Sequence, residues 1–363
     1  MKKQILDLSK KLISIRSTEE NIEKQKECLD LLEKKFKGVF KISKYNLKGH
    51  PALVFSTTNK KKVDIIFSGH IDVVKGSEEL FKPKEQAGKL YGRGAYDMKA
   101  GLVACLYAAT EYKKRGGKKE IAILITSDEE KSGYGTYALL KDKGYHADFA
   151  FIADGGGGNQ IVNKQKGFIQ FKVTLPGKSC HSSQVWKGEN PIPKLLVLQN
   201  KLSEMFPGPT FKDQWKTSVV LTKVSTDNSL NQIPEYAEGY FDIRFTKNED
   251  LKNIKKELNK FVGKKGEVEV VSENDLFFTN ENELWLQVLK KVLQKKLRKK
   301  MIFKHENGTS DAVFFTEHGI PAVLWRPDGG GAHQNEEWVD MDSVYFLYES
   351  LIDLLNFDTN KGY

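Results

Sequence analysis

Side chains able to do metal chemistry recur in this sequence just after short apolar runs. Ser68-Gly69-His70-Ile71-Asp72-Val73-Val74 follows an apolar run at 63–67 that reads as a buried strand. It presents an imidazole and, two residues later, a carboxylate. One ring nitrogen of His70 is then available to a metal and the other to a proton accepted by Asp72. Glu129 and Glu130 follow the run at 121–126, Asp154 follows 148–153, and His333 follows 321–325. Asp97 opens a helical stretch between the first two clusters. Parallel strands bring their carboxyl ends to one edge of a sheet, where ligands collect in open α/β folds. His70, Asp97, Glu130, Asp154 and His333 are two imidazoles and three carboxylates, a set that suits a pair of zinc ions sharing one carboxylate. Without metal, that many acids at one edge repel one another. Singly, each acid also reads as a cap or a surface charge, and Asp97 and Asp311 fit helix N-caps. All five together do not read that way.

The elements that must position these groups alternate. A strand at 63–67, a helix at 101–114, a strand at 121–126, a helix at 133–143 and a strand at 148–153 predict an α/β fold. Its sheet is mostly parallel, with helices on both faces. Ahead of it, Ile5, Leu8, Leu12 and Ile15 mark one face of a helix, and Ser17-Thr18-Glu19-Glu20 reads as a capping box that starts a second helix. From about Lys164 the order becomes β-α-β-β-α-β, the ferredoxin-like arrangement of an α+β domain. The α/β pattern resumes after it, with helices at 281–297 and 344–355 around the 321–325 strand. The expected organisation is a discontinuous domain, 1–164 and 279–363, interrupted by an inserted domain at 165–278.

Composition excludes several classes. Hydrophobic residues make up 39% and charged residues 29% of 363, an ordinary soluble balance. The net charge of +10 sits in short lysine clusters such as Lys60-Lys61-Lys62, interleaved with acids and lacking the aromatic spacing of a base-stacking surface. A solvated surface is expected, and no nucleic-acid partner. Three widely spaced cysteines, Cys28, Cys105 and Cys180, fit a reducing cytoplasm and no disulfide scaffold. No apolar run has the length of a leader core or a membrane span, so a cytoplasmic protein without membrane attachment is expected.

Taken together, the motifs resemble the acetylornithine deacetylase, succinyl-diaminopimelate desuccinylase, aminoacylase and carboxypeptidase G family of co-catalytic two-zinc metallopeptidases. The matching residues are Ser68 to Val74, Tyr91-Gly92-Arg93-Gly94-Ala95 with Asp97-Met98-Lys99, Thr126 to Glu130, the turn from Gly177 to His181, and Ala332-His333. The resemblance implies that His70 and Asp154 bind one zinc, Glu130 and His333 the other, and that Asp97 bridges them. Cobalt or manganese are the alternative metals. It further implies that Asp72 orients His70 and that Glu129 is the general base. His181 would stabilise the oxyanion, Asn231 and Arg244 would contact substrate, and Gly308-Thr309-Ser310 would form a substrate turn. The inserted domain would act as a lid and as the surface of a homodimer. The implied reaction is hydrolysis of an amide bond in an N-acyl amino acid, with a dipeptide or short peptide as the alternative substrate. Asp154 stands where many of the deacylases have Glu, and several di- and tripeptidases of the family carry Asp there. Lys75 replaces the Pro that commonly follows Asp-Val-Val.

Overall fold

At the centre of a nine-stranded sheet, four strands run parallel in the order Ile121–Thr126, Lys62–His70, His146–Ile152 and Ala322–Leu324. This is the parallel core expected from the alternating pattern, and it belongs to a computed structural model that describes residues 1–358. All six residues of Ile121–Thr126 are buried, so both faces of that strand are covered, as its unbroken apolar run requires. The flanking strands Lys41–Leu47 and His50–Ser56 form an antiparallel hairpin, and Gln160–Gln165 closes antiparallel on Ala322–Leu324. The helix Ala100–Lys114 is apolar nearly all round and packs against the helix Met341–Asn356. Its start comes very close to the strand end that carries Asp154. A Cβ at Gly101 would lie 2.9 Å from the Ala153 carbonyl oxygen, which only glycine avoids.

The chain divides into two compact units. One comprises Met1–Asn163, Phe278–Lys304 and the stretch from Ser310; the other comprises Lys164–Phe277 with His305–Thr309. The second unit is built β-α-β-β-α-β, its antiparallel sheet ordered Ser218–Ser225, Tyr236–Phe245, Gly167–Pro176, Glu267–Asn274. Ile169, Phe171, Val173 and Leu175 alternate toward the helices, where Leu195, Leu198, Leu202, Ile254 and Leu258 complete its core. The short segment His305–Thr309 is tied in by the Lys166 N–H, which donates to the Glu306 carbonyl, and by the Thr309 hydroxyl, which donates to the Lys166 carbonyl.

Two local expectations are corrected. The second helix, Ile22–Phe36, is capped by Asn21, whose side chain accepts from the Lys24 N–H; the Ser17 box does not start it. Ser17 is instead buried, its hydroxyl donating to the Ile71 carbonyl at 2.6 Å, because residues 17–19 pair with the segment 71–73 just past the His70 strand before the helix begins. Asp97 caps no helix either: the helix starts at Ala100, and Asp97 lies in an irregular turn ahead of it. Among the described residues no helix is long and apolar enough to cross a membrane.

Candidate metal centre

The parallel strands deliver their chemistry to one edge. His70 is the last residue of its strand and pairs in register with Thr126, three residues before Glu129. Asp154 follows the neighbouring strand by two residues, and Arg326 follows Ala322–Leu324 by two. His333 arrives on a glycine-rich turn and adopts a left-handed backbone (φ +62°) that leaves its imidazole half exposed.

Asp97 lies between the two histidines. Its Oδ1 is 3.3 Å from His70 Nε2 and its Oδ2 is 3.3 Å from His333 Nε2. Glu130 Oε2 lies 3.1 Å from the same His333 nitrogen. Two donor groups result, His70–Asp97–Asp154 and Asp97–Glu130–His333, and Asp97 belongs to both. Glu129 is in neither, yet its Oε2 is 3.9 Å from His70 Nε2.

Electrostatics show what the cluster lacks. Burial opposes a charge on His70, but the Asp72 and Asp97 carboxylates beside it raise its pKa well above the ordinary value. Hydrogen bonds to Asp97 and Glu130 lift His333 to about 10. Burial also works against the Asp97 charge, yet the imidazoles of His333 and His70 beside it hold it below the usual carboxylate range. Burial and the nearby Asp97 push Asp154 up to about 6, against the pull of Arg326. Protons are thus drawn onto imidazoles that a cation would need neutral, and metal binding would release them. His70 Nε2 is also buried without a hydrogen-bond partner among the described residues. An orphaned imidazole nitrogen, a shared carboxylate and N/O donors throughout fit a pair of divalent metal ions.

The Asp72 side chain does less for His70 than its spacing predicts. His70 Nδ1 is 3.0 Å from the carbonyl oxygen of Asp72, and 3.5 Å from its carboxylate Oδ1. The carboxylate instead accepts from the Glu130 N–H, at 2.9 Å to Oδ2. The imidazole is therefore oriented by main chain, and the side chain fixes the neighbouring ligand loop.

Two residues at this edge, Glu337 and Arg326, escaped the sequence reading, and a third, Asp311, is not the helix cap expected of it. Glu337 is buried; its Oε1 accepts from the backbone N–H groups of Tyr96 (2.9 Å) and Asp97 (3.1 Å), and its Oε2 pairs with Arg93 at 2.7 Å. The strand Trp338–Asp340, paired with Lys89–Tyr91, brings it there. Arg326 donates to Asp154 Oδ1 at 3.0 Å and lies 3.8 Å over the Tyr96 ring. Asp311 sits at the start of the helix Ala312–Glu317 without capping it, because its carboxylate accepts the Thr136 hydroxyl at 2.5 Å. Arg93 lies within a recognised motif and Glu337 near one, but nothing in their spacing links residues 244 positions apart.

The remaining candidates divide between the units. In the second unit His181 and Asn231 meet: Asn231 Nδ2 is 3.4 Å from His181 Nε2, while His181 Nδ1 is 2.8 Å from the Ser183 hydroxyl. Arg244 lies on an interior strand, and Asp242 already holds it, with Nε donating at 2.9 Å and Nη2 at 3.3 Å. Gly308 is exposed and has open space where a Cβ would sit, and Thr309 is turned to the Lys166 carbonyl. Ser310, in the first unit, accepts the Ala312 N–H at 3.3 Å and so closes the helix start itself.

Comparison with known proteins gives a consistent picture. Peptidase family M20/M25/M40 matches residues 66–356. A succinyl-diaminopimelate desuccinylase of Rickettsia rickettsii is 29% identical over 328 residues, covering 83% of this chain and 85% of the relative. The Rickettsia felis desuccinylase is 28% identical over 95% of this chain and 97% of its own length. Among solved structures, the aminopeptidase PepT of Bacillus cereus superposes with a TM-score of 0.81 at 18% identity, covering 98% and 99% of the two chains. A Bacillus subtilis protein described as a dinuclear metal binding peptidase superposes at 0.69 and 14% identity, covering 98% and 97%.

Proposed function

The chain belongs to peptidase family M20/M25/M40, and from that membership we propose that it removes the acyl group from an N-acyl amino acid by metal-dependent hydrolysis of the amide bond. The observation that carries this reading is Asp97, one oxygen toward each histidine, joining two donor groups beside a carboxylate that belongs to neither. His70, Asp97 and Asp154 would hold one ion, and Asp97, Glu130 and His333 the other; zinc is the first choice, with cobalt or manganese as alternatives. Ions held there would polarise the scissile carbonyl and acidify a water.

Glu129 takes the proton of the attacking water and returns it to the leaving amine. Burial raises its pKa well above the usual carboxylate range, and the carboxylates of Asp311, Asp154 and Asp97 add to this against the pull of His70. A carboxyl shifted in this direction is a stronger base than an ordinary carboxylate, which suits it to take a proton and pass it on. Asp72 fixes the Glu130 loop and Glu337 fixes the Asp97 turn.

From the second unit, His181 with Asn231 stabilises the oxyanion, and Arg244 receives the substrate carboxylate. Gly308, Thr309 and Ser310 line the substrate turn. We assign 165–278 as a lid and dimerisation domain. Exposed Leu196 and Val197 on one helix, and Val220 and Val224 on a strand at the edge of its sheet, supply an apolar surface for a second copy. A cytoplasmic location agrees with three unpaired cysteines. The relatives named for desuccinylation support an acyl substrate. Asp154, one methylene shorter than Glu, favours a small-peptide peptidase as second reading. Turnover of N-succinyl and N-acetyl amino acids against free dipeptides by metal-loaded protein separates the two; cleavage of dipeptides alone overturns the deacylase.

A further inference from the structure

Arg326 is the one cation that touches a carboxylate of the His70–Asp97–Asp154 group among the described residues' ion pairs with Lys or Arg. Its Nη1 is 3.0 Å from Asp154 Oδ1, and its guanidinium lies 3.8 Å over Tyr96. The ring beneath it is fixed in turn, since the Tyr96 N–H is bonded to buried Glu337. Arg93, the other arginine near Asp97, is buried against that same Glu337 and is closed to ligands. Arg326 still has 17% of its side chain exposed. The rim beside the metal ligands therefore carries a guanidinium in one held orientation, and an ion held by Asp154 would leave its charge less offset.

That charge has two consequences for what binds. A substrate with a free α-amine brings an ammonium that needs an uncompensated carboxylate. Asp154 is already compensated, and the guanidinium repels a second cation. A substrate whose acyl chain ends in a carboxylate brings the planar anion that a guanidinium recognises best. An acetyl group brings neither. We propose that Arg326 is a specificity-determining residue which selects an acyl group ending in a carboxylate and rejects a free amine. This rests on the deacylase reading and names the substrate class for it.

The test compares metal-loaded wild type, Arg326→Gln and Arg326→Lys on the N-succinyl and N-acetyl forms of one amino acid and on a free dipeptide. Metal per chain is counted by elemental analysis, and binding of succinate against propionate is measured by calorimetry. Wild type should prefer N-succinyl over N-acetyl. In Arg326→Gln the ratio of the two kcat/KM values should fall at least about tenfold, chiefly through KM for the succinyl substrate. Succinate should lose its advantage over propionate, the dipeptide should gain relative to both acyl substrates, and Arg326→Lys should recover part of the ratio. An unchanged ratio, with all three substrates losing equally, would overturn the proposal and leave Arg326 as a residue that only positions Asp154. So would loss of metal from Arg326→Gln with the succinate preference intact. A wild type that cleaves both acyl substrates alike sinks this proposal and spares the deacylase reading, whereas one that cleaves only dipeptides sinks both.

Discussion

The Asp72 carboxylate accepts a hydrogen bond from the Glu130 backbone N–H at 2.9 Å, joining the ends of two adjacent parallel strands. Asp72 is wholly buried, and its own carbonyl receives His70 Nδ1 at 3.0 Å. One residue thereby sets the position of one ligand from each of the two donor groups.

Removing that carboxylate should loosen the Asp97–Glu130–His333 group, while the Asp72 main-chain carbonyl still holds His70. Asp72→Ala is expected to weaken metal binding by about 10- to 100-fold, the usual cost of losing an outer partner of a ligand. Asp72→Asn, whose amide oxygen still accepts from Glu130, should recover most of it. Competition with a metal-sensitive chelator measures this, and wild-type affinity in Asp72→Ala would count against the linkage.

Glu337 should matter to stability as much as to metal. Glu337→Gln keeps an oxygen for the Tyr96 and Asp97 N–H groups but leaves the Arg93 charge buried without its partner. Breaking a buried pair from one side costs about 3–5 kcal/mol. Denaturant unfolding should report a loss of that order. The double change Glu337→Gln with Arg93→Met should be less damaging than the single one. If the single variant unfolds like wild type, the Arg93 pair does not hold this turn.

Much of the scaffold was legible because burial writes itself into composition. Ile121–Thr126 opens with five successive apolar residues and is buried throughout, and burial alternates at every position of Gly167–Pro176. The donors were legible because His and carboxylate after a strand are costly without a purpose. The partners that aim them were not. Asp72 acts on Glu130 through a backbone N–H, which carries no sequence identity. Glu337 reaches Asp97 because a short strand pairs Trp338 with Tyr91, a register that no local pattern encodes. Ser17 looked like a cap because its neighbours fit a capping box, yet tertiary packing against Ile71 outweighed local propensity.

Asp311 should give the metal-free protein a pH signature. Burial pushes its carboxyl up to about 8 from an ordinary 3.8, although the Thr136 hydroxyl pulls the other way. An acid whose folded pKa is raised contributes stability at low pH, where folded and unfolded chains both hold the proton. That contribution is lost as pH rises from the unfolded value toward the folded one, since the unfolded chain releases its proton first. Chelator-treated wild type should lose stability between about pH 4 and about pH 8 relative to Asp311→Asn, which cannot titrate. Parallel stability curves for the two proteins would exclude this.

His181 belongs to the second unit, with Asn231 at 3.4 Å. If it serves the metal site of a partner copy, two inactive proteins should rescue each other. Mixing His181→Ala with Glu129→Ala, with subunit exchange, should restore part of the activity. Absence of rescue after demonstrated exchange would assign His181 to its own chain.

The central claim is that Glu129 moves the proton at a centre whose ions are held by other residues. Metal content and turnover of Glu129→Ala, measured on one preparation, test it most directly. The expected result is close to two ions per chain with turnover lowered by about 10²- to 10⁴-fold. Near-native turnover, or a chain that has lost its metal along with its activity, would contradict it.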